Sequence, residues 1–436
     1  METVILSVGG SLIVSKDGID THFLSALNLF IRKHIKSGRR FFIVVGGGQT
    51  ARTYRNAGKD VIGELTHEDL DWIGIHATRL NAHLIRTIFQ DIAHPRIIEN
   101  YDKRLIVWSE SVVIGAGWKP GWSTDYDAVI LARDYHGSMI INLTNIDWVY
   151  TADPAKDKSA IPIKKTTWTE FEKLVGTTWL PGTHAPFDPV ASQLAKKIGV
   201  SVIIANGKNF KNLDKILRGE AFKGTLISPV DVDNAFYDKE YFVGKKSGYK
   251  VACYESFFGK MIQIFAHLYR ALLIRFLINP KNCLDVGCGI GQLVYFLRKL
   301  GIEAYGIDVS EDAFTFAHKD IIPYLKNGNI SKIPFPQNSF DLVTTFDVLE
   351  HIERPQLKKA VSETVRVSRK WILHKIYTHE NKWITYLHTK DFSDISILSQ
   401  SFWYNLFRTL DNISIIRKSW LRLPSFIETV FLLRKK

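Results

Sequence analysis

Cysteine is scarce: the 436 residues contain three, Cys253, Cys283 and Cys288. So few, so irregularly spaced, exclude a disulfide framework and a cysteine-built zinc site, and a reduced, cytoplasmic setting is expected. Long uninterrupted apolar runs are missing too. The most membrane-like stretch, Met261 to Ile278, is broken by His267, Arg270 and Arg275, so an amphipathic core helix is expected there and no membrane span. Met1-Glu2-Thr3-Val4-Ile5-Leu6 leads directly into a strand-like run without a secretory signal. No internal repeat and no low-complexity segment occurs, which sets repeat architectures aside.

What is present is ordinary globular composition, 46% hydrophobic and 23% charged, at a length that suits two domains with a full core each. The net charge of +13 is uneven. Through Pro229 there are 28 Lys+Arg against 23 Asp+Glu (+5), and beyond it 29 against 21 (+8). After Ser401 seven basic residues face only Asp411 and Glu428. A basic rim suits anionic substrates, but no RNA-binding motif accompanies it, so a solvated surface is the simpler reading and nucleic acid is not an expected partner.

Strand-like runs at Val4–Val8, Phe41–Val45, Leu105–Trp108, Met139–Leu143 and Val200–Ile204 alternate with helical patterns at Thr21–Ser37, Leu70–Phe89, Asp125–Asp134 and Pro189–Ile198. The alternation predicts an α/β fold, a mostly parallel sheet covered on both faces. A polar stretch punctuated by aromatics, residues 230–249, interrupts the pattern and reads as a linker between domains at 1–229 and 250–436. Alternation then resumes with strands at Cys283–Val286, Glu303–Ile307, Leu342–Phe346 and Trp371–Leu373.

Two glycine clusters in the first half, Gly9-Gly10-Ser11 and Gly46-Gly47-Gly48, each follow a predicted strand. Bare backbone there lets N–H groups approach phosphate oxygens, and the next helix adds its dipole. Further along come an amphipathic helix bearing Asp71, the loop Gly117-Trp118-Lys119-Pro120-Gly121-Trp122-Ser123-Thr124-Asp125, the segment Asn142 to Pro154, and Phe187-Asp188-Pro189. In that order, across residues 1–229, these motifs resemble the amino acid kinase family and, within it, the archaeal-type uridylate (UMP) kinases. The resemblance implies a three-layer αβα fold, phosphoryl transfer from ATP with Mg²⁺, and a homo-oligomer, a hexamer in such kinases. It places Ser7, Gly10 and Asp188 at the reacting centre. Gly9, Gly10, Ser11, Gly46, Gly47 and Gly48, with Asn145, Tyr150 and Asp153, fall on the ATP side. Gly47, Arg52, Asp71, Ser123, Thr124 and Asp125 fall on the UMP side, with Asp71 holding the ribose.

Two residues depart from the family pattern. Ser7 stands where the family usually carries a lysine that reaches the transferring phosphate, and Trp148 stands where glycine is usual. Lys16 and Lys119 are candidates to replace the missing charge. The readings left open are an active UMP kinase, a nucleotide-sensing pseudokinase and a kinase of the same family with another acceptor. An isopentenyl phosphate kinase is disfavoured, because Gln49-Thr50-Ala51-Arg52 contains no histidine after the glycine triplet.

In the second half, Asp285-Val286-Gly287-Cys288-Gly289-Ile290-Gly291 lies between a predicted strand and helix Gln292–Leu300. Gly306-Ile307-Asp308 ends the next strand with an acid, Asn329-Ile330 follows, and Ser339 to Ile352 contains a fourth strand leading into Asp347 and Leu349-Glu350-His351-Ile352. The series resembles class I methyltransferases that use S-adenosylmethionine (SAM), with a Rossmann-like fold. It implies SAM contacts from Asp285, Gly287, Cys288, Gly289, Asp308, Asn329, Ile330 and Asp347, with Asp308 on the ribose hydroxyls and Asn329 near adenine. The methyl acceptor is left open. His351 and Glu350 read more readily as braces of the site than as bases, and Cys288 as a packing residue. The apolar spacing of Ser401 to Phe407 predicts core packing.

Overall fold

A computed structural model describes the chain except residues 1, 104–107, 136, 138, 155, 177–184, 229–235, 243–256, 379–397 and 417–428. Cys253 and part of the basic tail lie outside the described residues. The chain divides into two compact units, Met1–Asp231 and Val232–Lys436.

The first unit opens with β1 (Glu2–Val8), α1 (Gly10–Ile13), the hairpin β2 (Val14–Ser15) and β3 (Gly18–Ile19), α2 (Thr21–Lys36) and β4 (Arg39–Val45). There follow α3 (Gly48–Ile62), α4 (His67–Ile88), β5 (Val112–Gly115), α5 (Thr124–Asp134), β6 (Met139–Thr144), β7 (Val149–Tyr150), β8 (Pro162–Ile163) and β9 (Lys165–Thr167). It closes with α6 (Trp168–Val175), α7 (Pro189–Ile198), β10 (Ser201–Asn206), α8 (Phe210–Arg218) and β11 (Thr225–Ser228). Seven strands form one sheet in the order β5-β4-β1-β6-β10-β11-β9, parallel except where β11 runs against β10. Because side chains alternate along a strand, the sheet feeds two cores. Leu6, Val8, Ile43, Val45 and Leu143 face one; Ile5, Phe42, Val44 and Ile140 face the other. Helices α2, α4 and α8 cover the first face, and α5, α6 and α7 the second. Three layers result.

A strand is expected at Leu105–Trp108. Residues 105–107 lie outside the described ones, and the strand beside β4 is Val112–Gly115. Val112, Val113 and Ile114 are fully buried there.

The second unit contains α9 (Lys239–Phe242), α10 (Phe257–Leu273), β12 (Asn282–Val286), α11 (Gln292–Lys299), β13 (Glu303–Asp308), β14 (Leu325–Asn327), β15 (Phe340–Phe346), α12 (Arg354–Val367), β16 (Ser368–Ile376), α13 (Gln400–Arg408), β17 (Ile413–Ile416) and β18 (Thr429–Lys435). Its sheet runs β14-β13-β12-β15-β16-β18-β17, with β18 antiparallel to both neighbours. Strand order reverses at β12, the switch point whose carboxyl end receives ligands in doubly wound sheets. Trp403 and Phe407 are fully buried, as the spacing of the tail predicts.

Two expectations change. Residues 236–242, read from composition as linker, carry α9 and pack into the second unit: Phe242 is buried against Ile290 and Ala313. Met261–Ile278 is helical but is not a core helix, since Phe265 is 61% and Phe276 75% exposed. By length and composition this stretch is apolar enough to cross a membrane. Its buried side instead turns Ala271 and Ile274 toward Leu293 and Leu297.

Candidate active sites

β1 and β4 end side by side, Val8 paired with Val45, and each passes into a glycine turn. The two turns meet backbone to backbone. A Cβ on Gly10 would stand 2.1 Å from the Gly48 nitrogen, and one on Gly48 2.2 Å from the Gly10 oxygen. Only glycine fits. Helices α1 and α3 start here from Gly9 and Gly47 without a capping side chain. By contrast, α2, α4, α5 and α7 are capped by Asp20, Thr66, Ser123 and Asp188. Two adjoining helix starts with uncapped N–H groups seat phosphate oxygens well, so the residues present fit a nucleotide phosphate. Asn81, on α4, donates to the carbonyls of Gly46 and Gly47 (2.9 and 3.0 Å) and fixes the second turn. Gly9 donates to the Leu143 carbonyl (2.9 Å), which sets the first turn beside the end of β6. From there the chain runs through exposed Asn145, half-buried Tyr150 and exposed Asp153.

The loop preceding α5 is fastened to α4. Gly117 donates to Thr78 Oγ1 (2.8 Å) and Gly121 to Asp71 Oδ2 (2.9 Å). Trp122 stacks on Tyr126 with ring centroids 4.3 Å apart. The Lys119 ammonium lies over the rings of Trp118 and Trp122, at 3.9 and 4.9 Å, a cation–π arrangement. Arg52 sits in the first turns of α3 and donates to Gln49 Oε1 (3.0 Å).

Beneath the turns, Ser7, Ser123, Asp125 and Asp188 form one network. Ser7 Oγ donates to Asp125 Oδ1 (2.9 Å), and the Asp188 backbone N–H donates to Asp125 Oδ2 (3.2 Å). Asp188 Oδ2 accepts from the Ser123 hydroxyl (2.6 Å), and its Oδ1 caps α7 at Val190. Thr124, beside them, opens α5. Burial, reinforced by the Asp188 charge, pushes the Asp125 carboxyl up to about 7. Asp127, two residues on, is fully buried and pushed well above the carboxylate range by burial. Sequence reading missed Asn81, Thr78 and Asp127; polar residues on otherwise apolar helix faces were the available signal.

A raised carboxyl pKa makes a pH prediction. The native state holds the Asp125 proton more tightly than the unfolded chain, so this group's contribution is intact below about pH 4 and is lost as pH rises through about 7. Asp125→Asn keeps both contacts, donating to Ser7 and accepting from Asp188. It should raise the melting temperature by several degrees at pH 8 and leave it unchanged at pH 4. Equal effects at both pH values, followed calorimetrically, would refute the shift.

In the second unit the Asp285–Gly291 turn leaves β12 with Gly287, Gly289 and Gly291 at φ +73°, +52° and +75°. This left-handed backbone favours glycine. A Cβ on Gly287 would meet Val348 at 2.3 Å, so the turn is packed against the loop after β15. Asp308, at the end of β13, accepts from the backbone of Gly289 (2.8 Å) and Ser310 (3.0 Å). Its carboxylate is thereby aimed along the glycine turn, and helix α11 begins uncapped at Gly291. These features fit an adenosyl cofactor with its ribose on Asp308. Asp285 is buried, accepts from Thr344 Oγ1 (2.8 Å), and is pushed up to about 7 by burial. Cys288 packs against Gly306, and burial pushes its thiol up, which makes it inert. Asn329 is exposed and accepts from Ser331 (2.8 Å), whereas Ile330 is core.

Asp347, expected as a cofactor contact, is paired within the protein. Its carboxylate is held by Lys375 (2.6 Å to Oδ2), with Arg270 at 3.8 Å, and these two charges hold it below the usual range despite burial. Glu350 is buried, accepts from Tyr377 N–H (3.0 Å), and is pushed up to about 7 by burial. Burial holds the neighbouring His267 down at about 3. Arg270, His267 and Lys375 were not legible as site residues, because they converge from α10 and β16, distant in sequence.

Residues 2–206 match the amino acid kinase family, and residues 284–370 match a methyltransferase domain. A uridylate kinase of Methanocorpusculum labreanum is 32% identical over 232 residues, covering 52% of this chain and 96% of that protein. Another, from Methanothermobacter thermautotrophicus, is 33% identical over 228 residues, covering 52% and 99%. The crystal structure of uridylate kinase from Archaeoglobus fulgidus aligns with 52% of this chain and 100% of that one, at 27% identity and a TM-score of 0.43. The two domains are those of transferases. Through its first half the chain belongs to the amino acid kinase family, and its second half carries a methyltransferase domain fused to it.

Proposed function

We propose that the first unit transfers the γ-phosphoryl group of ATP to UMP, giving UDP, and that the second transfers the methyl group of SAM to an acceptor not yet identified. The observation that carries the kinase reading is the fastening of the Gly117–Asp125 loop to Asp71, in a unit that also presents two uncapped glycine turns. ATP supplies the phosphoryl group, with Mg²⁺ carried on its phosphates, and SAM supplies the methyl group. Gly9, Gly10, Ser11 and Gly46 to Gly48 hold phosphate, with Asn145, Tyr150 and Asp153 on the nucleotide side. Asp71, Arg52, Ser123 and Thr124 position the acceptor. Phosphoryl transfer needs alignment and charge neutralisation more than covalent help, and methyl transfer needs in-line alignment; the rigid turns serve both. We place the enzyme in the cytoplasm as a homo-oligomer formed through the kinase half.

One observation favours a second reading. Ser7, where the family usually carries a lysine, brings no charge and is satisfied by Asp125, and Lys119 lies over two indoles. On this reading the first unit binds nucleotide without turnover and regulates the second.

ADP release from Mg-ATP across a panel of nucleoside monophosphates decides between them. UMP-selective turnover that disappears in Asp71→Ala, with UMP affinity reduced about 10–100-fold, supports the kinase. Binding of ATP or UMP without turnover supports the sensor, and a UMP titration unaltered by Asp71→Ala removes that residue's assignment.

A further inference from the structure

The aromatic segment Phe236 to Phe242 lies across the glycine turn of the second unit. Phe242 is buried, and among the described residues its Cε1 is the atom that a Cβ on Gly289 would meet, at 3.8 Å. At one end the segment is tied down by the Ser310 hydroxyl, which donates to the Tyr237 carbonyl. Ser310 is also the residue whose N–H binds Asp308. Toward the other side of the turn, the Tyr237 ring lies edge-on to His351, centroids 6.2 Å apart, in the loop after β15. Tyr241 locks the segment internally, at 4.9 Å from Tyr237 and 5.3 Å from Phe242. A short stretch of chain therefore runs from the ribose acid to the loop after β15.

We propose that this segment is the outer wall of the cofactor site, with Tyr237 and Phe242 as binding residues for an adenosyl sulfonium. The inference rests on the reading of the second unit as a SAM site. The chemistry matches: a sulfonium is a poorly hydrated cation that aromatic faces attract, and an adenosyl group has an apolar face that a buried phenyl ring covers. Asp308 and the glycine turn supply the polar side of the same slot. The turn's open point at Gly289 is thereby left to an aromatic ring instead of a polar group.

The test is calorimetric titration of the full chain with SAM and with S-adenosylhomocysteine, which lacks the positive charge. Phe242→Ala should weaken both ligands about tenfold. Tyr237→Leu should weaken SAM more than S-adenosylhomocysteine, a charge-selective change that a merely structural role would not produce. If Phe242→Ala fails to fold, Phe242→Leu retains the buried volume and Tyr237→Leu still decides the question. Wild-type binding with unchanged affinities in folded variants overturns the wall. No binding of either ligand by the wild type overturns the SAM reading itself, and the wall with it.

Discussion

Ser7→Lys is expected to raise ATP-dependent phosphorylation of UMP by about 10²–10³-fold, the usual effect of one well-placed donor on transition-state charge. Position 7 lies on β1 two residues before the Gly9-Gly10 turn, and its side chain points at Asp125. An ammonium group there would take over the carboxylate that the serine hydroxyl now holds and lower its pKa from about 7. It would also bring a positive charge beneath the phosphate seat. The gain should require Asp125: Ser7→Lys combined with Asp125→Asn should fall back toward the wild-type rate. A folded Ser7→Lys variant with unchanged ADP release would show that position 7 does not face the transferring group.

The second large effect concerns Asp308. Its carboxylate is proposed to accept from both ribose hydroxyls while it braces Gly289 and Ser310. Two hydrogen bonds to a charged group are together worth about 3–6 kcal/mol, so Asp308→Ala should weaken SAM by about 10²–10⁴-fold. ATP affinity should not change. Asp308→Asn, which retains an acceptor oxygen, should lose less. Calorimetry with each ligand separates these outcomes, and unchanged SAM affinity in a folded Asp308→Ala variant ends the ribose assignment.

Much of this architecture was legible because its signals are local. Strands such as Phe41–Val45 and Cys283–Val286 are short apolar runs delivered into glycine turns, and the turns, Asp71 and Asp308 all lie where the motifs put them. The failures share a cause: each depended on a residue far away in sequence. Nothing local marks Val112–Gly115 as the strand that β4 takes as its partner. Composition shows that Met261–Ile278 is apolar but not which way the apolar side chains face. The pairing of Asp347 with Lys375, 28 residues later, leaves no mark in either segment. The stretch at 230–249 reads as linker because the partner of Tyr237 is Ser310, 73 positions on. Antiparallel β11 and β18 carry no local mark of direction at all.

The position of β18 bears on how the protein is made. Every strand of the first sheet has been synthesised by Ser228, so that unit is free to fold while the rest of the chain is still being translated. The second sheet has no such freedom. Thr429–Lys435 lies between β16 and β17, so β17 has no neighbour in the sheet until these last seven strand residues emerge. The Asp285–Gly291 turn is thus translated more than a hundred residues before its sheet can close, and for that interval the apolar edge of β16 stands uncovered to chaperones and to other nascent chains.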